Sequence, residues 1–128
     1  MPRIVLASDD APKAIGPYSP AIQTPQYIFT SGQLGLDPQT GELVAGGVEA
    51  ETRRALTNLS SLLAVAGAGL PAVVKTTVFL RDMGDFTKMN AVYAEFFPQD
   101  PPARSTVAAA ALPKGAAVEI EAVAFTGG

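Results

Sequence analysis

Most of this chain alternates apolar and polar residues in short runs cut by glycine and proline, and helical spacing of the apolar positions takes over in only two stretches. Residues 3–7 and 20–24 read as brief strands, and 27–34, Tyr-Ile-Phe-Thr-Ser-Gly-Gln-Leu, as a clearer one. Asp-Pro-Gln-Thr-Gly at 37–41 and the pair Gly46-Gly47 follow as turn signals. Over 48–66, Val48, Ala55, Leu56, Leu59, Leu62, Leu63 and Ala66 recur at helical spacing with Thr52, Arg53, Asn58 and Ser60 between them, and Gly67, Gly69 and Pro71 stop the helix. Residues 73–80 are β-branched and strand-like. A second helix is expected over 85–97, with Phe86, Met89, Val92, Tyr93, Phe96 and Phe97 in one stripe, an aspartate at its start and Pro98 at its end. Residues 103–112 and 117–126 make two closing strands.

The order βββ, α, β, α, ββ predicts one α+β domain over 1–128, a single mixed six-stranded sheet with both helices on one face, joined by right-handed crossovers. In the last two strands neither alternate row of 103–112 is a solvated polar face, and Val123 and Phe125 share a row with Glu119 and Glu121. Two helices cover only one side of such a sheet. The other side, apolar or small, is expected to pack against further copies of the chain, the alternative being a monomer with an Ala-rich exposed face.

Composition sharpens this picture. Only 16% of the 128 residues are charged while 48% are hydrophobic, which again points to surface covered by other copies. The net charge is −3 and the nine Lys and Arg are scattered, so the basic footprint of a nucleic-acid binder is missing. The N-terminus offers an apolar stretch of four residues before two acids, too short for a secretory segment or a membrane span, and a cytoplasmic protein is expected. There is no histidine and no cysteine, which removes the commonest general base, metal ligand and thiol nucleophile. Chemistry here falls to Arg, Glu, Asp, Lys, Tyr, Ser, Thr and backbone amides.

Between Asp100 and Lys114 the only charge is Arg104. Its guanidinium stays ionised, so folding must pair it with an internal acid, return it to water, or leave it for an incoming anion. Pro101-Pro102 forces an extended approach and delivers it at the start of a strand, where a planar fork of donors suits a small carboxylate. Glu119 and Glu121 share a strand face about 7 Å apart. Either, if partly desolvated beside Val123 and Phe125, would have a raised pKa suited to proton exchange near neutrality, and alternation does not choose between them. Gly32 interrupts a strong strand, as a bulge or as an amide approached by a ligand. The stiff turn Gly16-Pro17-Tyr18-Ser19-Pro20 aims Tyr18 either into the core or into a pocket, and Asn90 is expected to close a hydrogen bond within the subunit or across an interface.

Several segments in order, covering nearly the whole chain, carry a family resemblance. They are Ala14-Ile15-Gly16-Pro17-Tyr18-Ser19, Thr30-Ser31-Gly32-Gln33, Val74-Lys75-Thr76-Thr77-Val78-Phe79-Leu80, Met89-Asn90-Ala91-Val92-Tyr93, Pro102-Ala103-Arg104-Ser105-Thr106, and Leu112-Pro113-Lys114-Gly115 leading to Val118-Glu119-Ile120-Glu121-Ala122. The chain resembles the RidA/YjgF imine deaminases, also described as the L-PSP or translation-inhibitor family. The resemblance implies a chorismate-mutase-like fold and a homotrimer with ligand clefts between subunits. It implies that Arg104 grips a substrate carboxylate, that Glu119 rather than Glu121 is the catalytic carboxyl, that Tyr18 and Ser31 line the cleft, and that Gly32 and Thr106 offer backbone groups. Thr106 stands where many members carry cysteine, and the segment 97–102 looks shorter than usual.

The expected activity is hydrolysis of small 2-imino acids, such as those formed from 2-aminoacrylate, to 2-keto acids and ammonia, with no metal and no cofactor. Two other classes stand beside it: an endoribonuclease or translation inhibitor, and a non-catalytic module binding small carboxylates.

Overall fold

The computed structural model describes residues 2–127. In chain order the elements are β1 (Ile4–Leu6), β2 (Ala21–Gln23), β3 (Tyr27–Thr30), β4 (Gln33–Leu34), α1 (Gly47–Val65), β5 (Val73–Leu80), α2 (Phe86–Phe96), β6 (Ala103–Ala108) and β7 (Val118–Phe125). Single 3-10 turns at Leu70–Ala72, Met83–Asp85 and Pro113–Gly115 connect them. The sheet runs β1-β2-β3-β7-β5-β6, with β4 also on β7. The β5–β6 pair is parallel and the other pairs are antiparallel, so the sheet is mixed as expected.

Period-two burial along β7 decides which face is which. Val118, Ile120, Ala122 and Ala124 are buried, as are Val78 and Leu80 of β5 and Ile28 of β3 in register with them. Onto this row pack Ala55, Leu56, Leu59 and Leu63 of α1 with Met89 and Tyr93 of α2. Both helices therefore lie on one face. Leu56, Leu59, Leu62 and Leu63 are fully buried, each stabilising the fold by about 1.5–3 kcal/mol. Helix α1 ends as the sequence signals: Gly67 is left-handed with φ +75°, the Gly67 N–H donates to the Ala64 carbonyl and the Ala68 N–H to the Leu63 carbonyl, each at 3.0 Å.

The sheet has seven strands rather than six because the stretch expected as one strand over 27–34 is broken. Phe29 pairs with Val123 and Gln33 with Ile120, so residues 30–32 stand opposite residues 121–122. One residue too many makes a bulge, and there the Thr30 hydroxyl accepts the Ala122 N–H at 2.9 Å. The strand expected over 103–112 also ends early, at Ala108.

The face away from the helices is only partly covered. Leu34, Leu36, Leu112 and Ala116 are buried there as a second small core, with Leu43, Phe79 and Ala109 packed against them. Asn58 of α1 fastens this layer: its Nδ2 donates to the Leu34 and Leu36 carbonyls at 3.2 and 3.0 Å, and its Oδ1 accepts from Arg54. Beyond it, Val5, Tyr27, Phe29, Val107 and Phe125 remain exposed on the open face, with the Tyr27 and Phe125 rings 5.4 Å apart.

Candidate functional site

Arg104 enters from the start of β6, the edge of the sheet, in register with Thr76 of β5, which in turn pairs with Ala122. Thr76 and Ala122 are buried under the helices, so Arg104 projects on the helix side. Among the described residues the single ion pair is Arg53–Glu95 between α1 and α2, and no carboxylate reaches Arg104. Its guanidinium carbon instead lies over two rings of α2, 4.7 Å from the Tyr93 centroid and 5.5 Å from that of Phe86. Asn90, Tyr93, Ala94, Phe97, Pro101 and Pro102 enclose a groove with it. Asn90 makes no side-chain hydrogen bond among the described residues and faces this groove. Thr106 follows Arg104 on the same side, its hydroxyl buried and without a partner.

Glu119 belongs to the other face. It pairs with Phe79 of β5 and Leu34 of β4, three positions along β5 from the Arg104 register and therefore of opposite parity. Its carboxyl is half-buried and its pKa is raised, first by burial and then by the like charge of Glu121, which is exposed. A second cleft opens here, lined by Ile15, Tyr18, Gly32, Gln33, Leu36, Pro113 and Glu119 among others. A Cβ added at Gly32 would lie 2.8 Å from both Cγ and Cδ of Glu119, so only glycine leaves this side chain its place. The Gly32 amide makes no hydrogen bond among the described residues.

Short bonds hold the cleft walls. The Ser31 hydroxyl donates to the Ser19 carbonyl at 2.6 Å and the Ser31 N–H to the Pro20 carbonyl at 2.9 Å, fixing the 16–20 turn on the bulge. The Tyr18 phenol accepts the Ile15 N–H at 3.3 Å and half of Tyr18 stays exposed, 49%. Beside the turn that brings Pro113 to the cleft, the Ala117 N–H donates to the buried Glu51 carboxyl group at 2.8 Å, and Arg81 donates to the Gly115 carbonyl at 2.6 Å. These last two anchors were not visible in the sequence, because their partners are 66 and 34 residues distant.

One protomer thus brings Tyr18, Gly32 and Glu119 together, with Ser31 behind them, and Arg104 and Thr106 together elsewhere. It does not bring the two groups to each other. The half-sites lie on opposite faces of the sheet, separated by the β5 strand between β6 and β7.

The chain's likenesses fall in one direction. The family model described as Endoribonuclease L-PSP matches residues 8–126. A mouse (Mus musculus) protein named 2-iminobutanoate/2-iminopropanoate deaminase is 50% identical over 125 residues, covering 98% of this chain and 93% of its own length. A RutC family protein of Pyrococcus horikoshii is 48% identical over 121 residues, covering 94% and 96%. The crystal structure of E. coli TdcF with bound serine superposes with a TM-score of 0.92 at 39% identity, covering 96% of this chain and 98% of that one. The chain belongs to the Endoribonuclease L-PSP family, the RidA/YjgF group that its motifs resemble.

Proposed function

We propose that this protein hydrolyses small 2-imino acids to 2-keto acids and ammonia, in clefts completed between copies of the chain in a homotrimer. Arg104 carries the reading: a guanidinium that no carboxylate among the described residues neutralises, standing beside an open groove, is suited to an organic acid. Glu119, with its raised pKa, is the complementary group. Because the two lie on opposite faces, a neighbouring copy must supply one of them, and the apolar open face gives that copy a surface to cover.

In the proposed reaction Arg104 holds the substrate carboxylate while Glu119 takes a proton from water as its oxygen bonds to the imine carbon and the C=N electrons move to nitrogen. The protonated Glu119 then returns the proton to nitrogen. Glu119 next takes the proton of the new hydroxyl and passes it to that nitrogen, and the C–N bond breaks as the hydroxyl oxygen becomes the keto group, releasing ammonia. Tyr18 lines the cleft with Ser31 bracing its wall from behind, and the Gly32 amide and Thr106 backbone, one in the bulge and one on an edge strand, offer hydrogen bonds to the bound acid. Position and one general base are enough, since a base contributes about 10²–10⁴-fold to an already electrophilic carbon.

The test is ammonia release from imines generated in situ by an amino-acid dehydratase. Wild-type protein should exceed buffer, and Arg104→Ala should abolish the excess. Unchanged turnover in Arg104→Ala would overturn the assignment; no wild-type excess, with 2-keto acids still bound, would make the protein a carboxylate-binding module instead.

A further inference from the structure

We infer that Tyr93 is a positioning residue for Arg104, an aromatic platform that holds the guanidinium in place of an acid. Resting on the carboxylate-binding reading above, it explains how a lone cation is kept at the groove without being neutralised.

Arg104, on an edge strand, has four rotatable bonds and no carboxylate among the described residues to fix them. Here its charged end sits 4.7 Å from the Tyr93 centroid and 5.5 Å from Phe86, within reach of cation–π attraction to both rings. The two rings are seven residues apart on α2, so they share the face on which Asn90, a groove residue like Tyr93, also lies. An acid in the same place would occupy the N–H fork and cancel the charge. A ring face does neither: it attracts the cation from above and leaves the in-plane donors to a carboxylate.

Tyr93 is built as a fixed platform. It is only 5% exposed, its ring packs on Phe97 at 4.7 Å, and its hydroxyl is 2.7 Å from the hydroxyl of buried Thr76, the residue in register with Arg104. Burial raises the phenol pKa, so the ring stays neutral beside the cation. Arg104 and its platform are thereby tied to the same pair of strand positions, and burial with the Phe97 contact holds the ring even without the hydroxyl bond.

The decisive experiment separates the ring's electrons from its shape. Phenylalanine analogues of increasing fluorination are placed at position 93 of the full-length protein, beside Tyr93→Phe, Tyr93→Leu and Thr76→Val, and KM and kcat are read by ammonia release from 2-iminopropanoate. Tyr93→Phe and Thr76→Val should stay within threefold of wild type in KM. Tyr93→Leu should raise KM tenfold or more with kcat changed less than threefold, and KM should climb steadily with fluorination. A flat fluorination series, or Phe and Leu variants that behave alike, would overturn the inference, and the near-isosteric series decides the matter even if Tyr93→Leu fails to fold. Arg104→Ala measured in parallel keeps the two ideas apart: if it loses turnover while the series is flat, only the platform fails; if it keeps turnover, the carboxylate reading fails first.

Discussion

The side chain of Glu119 lies directly over the Cα of Gly32, in space that any larger residue at position 32 would fill. The bulge that carries Gly32 and the strand that carries Glu119 are adjacent in the sheet. The carboxyl is therefore placed by the absence of a side chain as much as by its own packing.

Gly32→Ala should displace the carboxyl while leaving the fold intact, because the atoms in the way are the far part of a flexible side chain. A misplacement near 1 Å costs about 10²-fold in rate. Ammonia release from in situ imine should fall by that order, with the thermal unfolding midpoint nearly unmoved. A large fall in the midpoint with activity retained in the folded fraction would contradict this placement.

Burial first, and the charge of Glu121 second, raise the pKa of Glu119. Glu121→Gln removes the second cause, so the acid limb of the kcat/KM profile should move to lower pH. Stability depends on the same carboxyl: a group that binds its proton more tightly in the folded state supports folding most below the ordinary carboxylate range and loses that support as pH rises through its raised value. Glu119→Gln should therefore be inactive, yet unfold at higher urea than wild type near neutral pH. The advantage should vanish in acid, where both side chains are uncharged.

With Arg104 and Glu119 on opposite faces of one sheet, complementation between chains becomes measurable. Arg104→Ala and Glu119→Gln proteins, each inactive alone, are unfolded together and refolded as mixed oligomers. Some clefts then receive an intact Arg104 from one chain and an intact Glu119 from another, and a fraction of wild-type activity should return. Persistent inactivity of verified mixed oligomers would mean that a single chain supplies both groups.

Asn58 holds the small core to α1 through two main-chain carbonyls and Arg54. Asn58→Ala leaves buried acceptors unpaired and should cost about 3 kcal/mol in denaturant unfolding. By contrast, Glu95→Gln breaks the exposed pair with Arg53 and should change stability by less than about 1 kcal/mol.

Both helices, and the strands at 73–80 and 117–126, were legible in the sequence because their apolar periods agree with where they are buried. The isolation of Arg104 was legible too: a run with no other charge offers it no local acid. The break at Ser31–Gly32 was not, since strand propensity on both sides outweighs one glycine and the bulge is held by Thr30 reaching to Ala122, 92 residues away. Glu119 and Glu121 were indistinguishable by alternation because they share a face. Only three-dimensional packing makes Glu119 the half-buried one and leaves Glu121 in the open. Tyr93 read as one more member of an apolar stripe, and its place under Arg104 required knowing that β6 lies beside β5.

The extra residue between Phe29 and Gln33 acts as a parity bit for the chain. It sends Gln33 to the helix side and turns Leu34 to the side of Glu119, where the small core begins. Were residues 30–32 paired instead as regular strand, Gln33 would stand opposite Glu119 and Leu34 opposite Val118, driving an amide toward the carboxyl and a leucine away from the layer it founds.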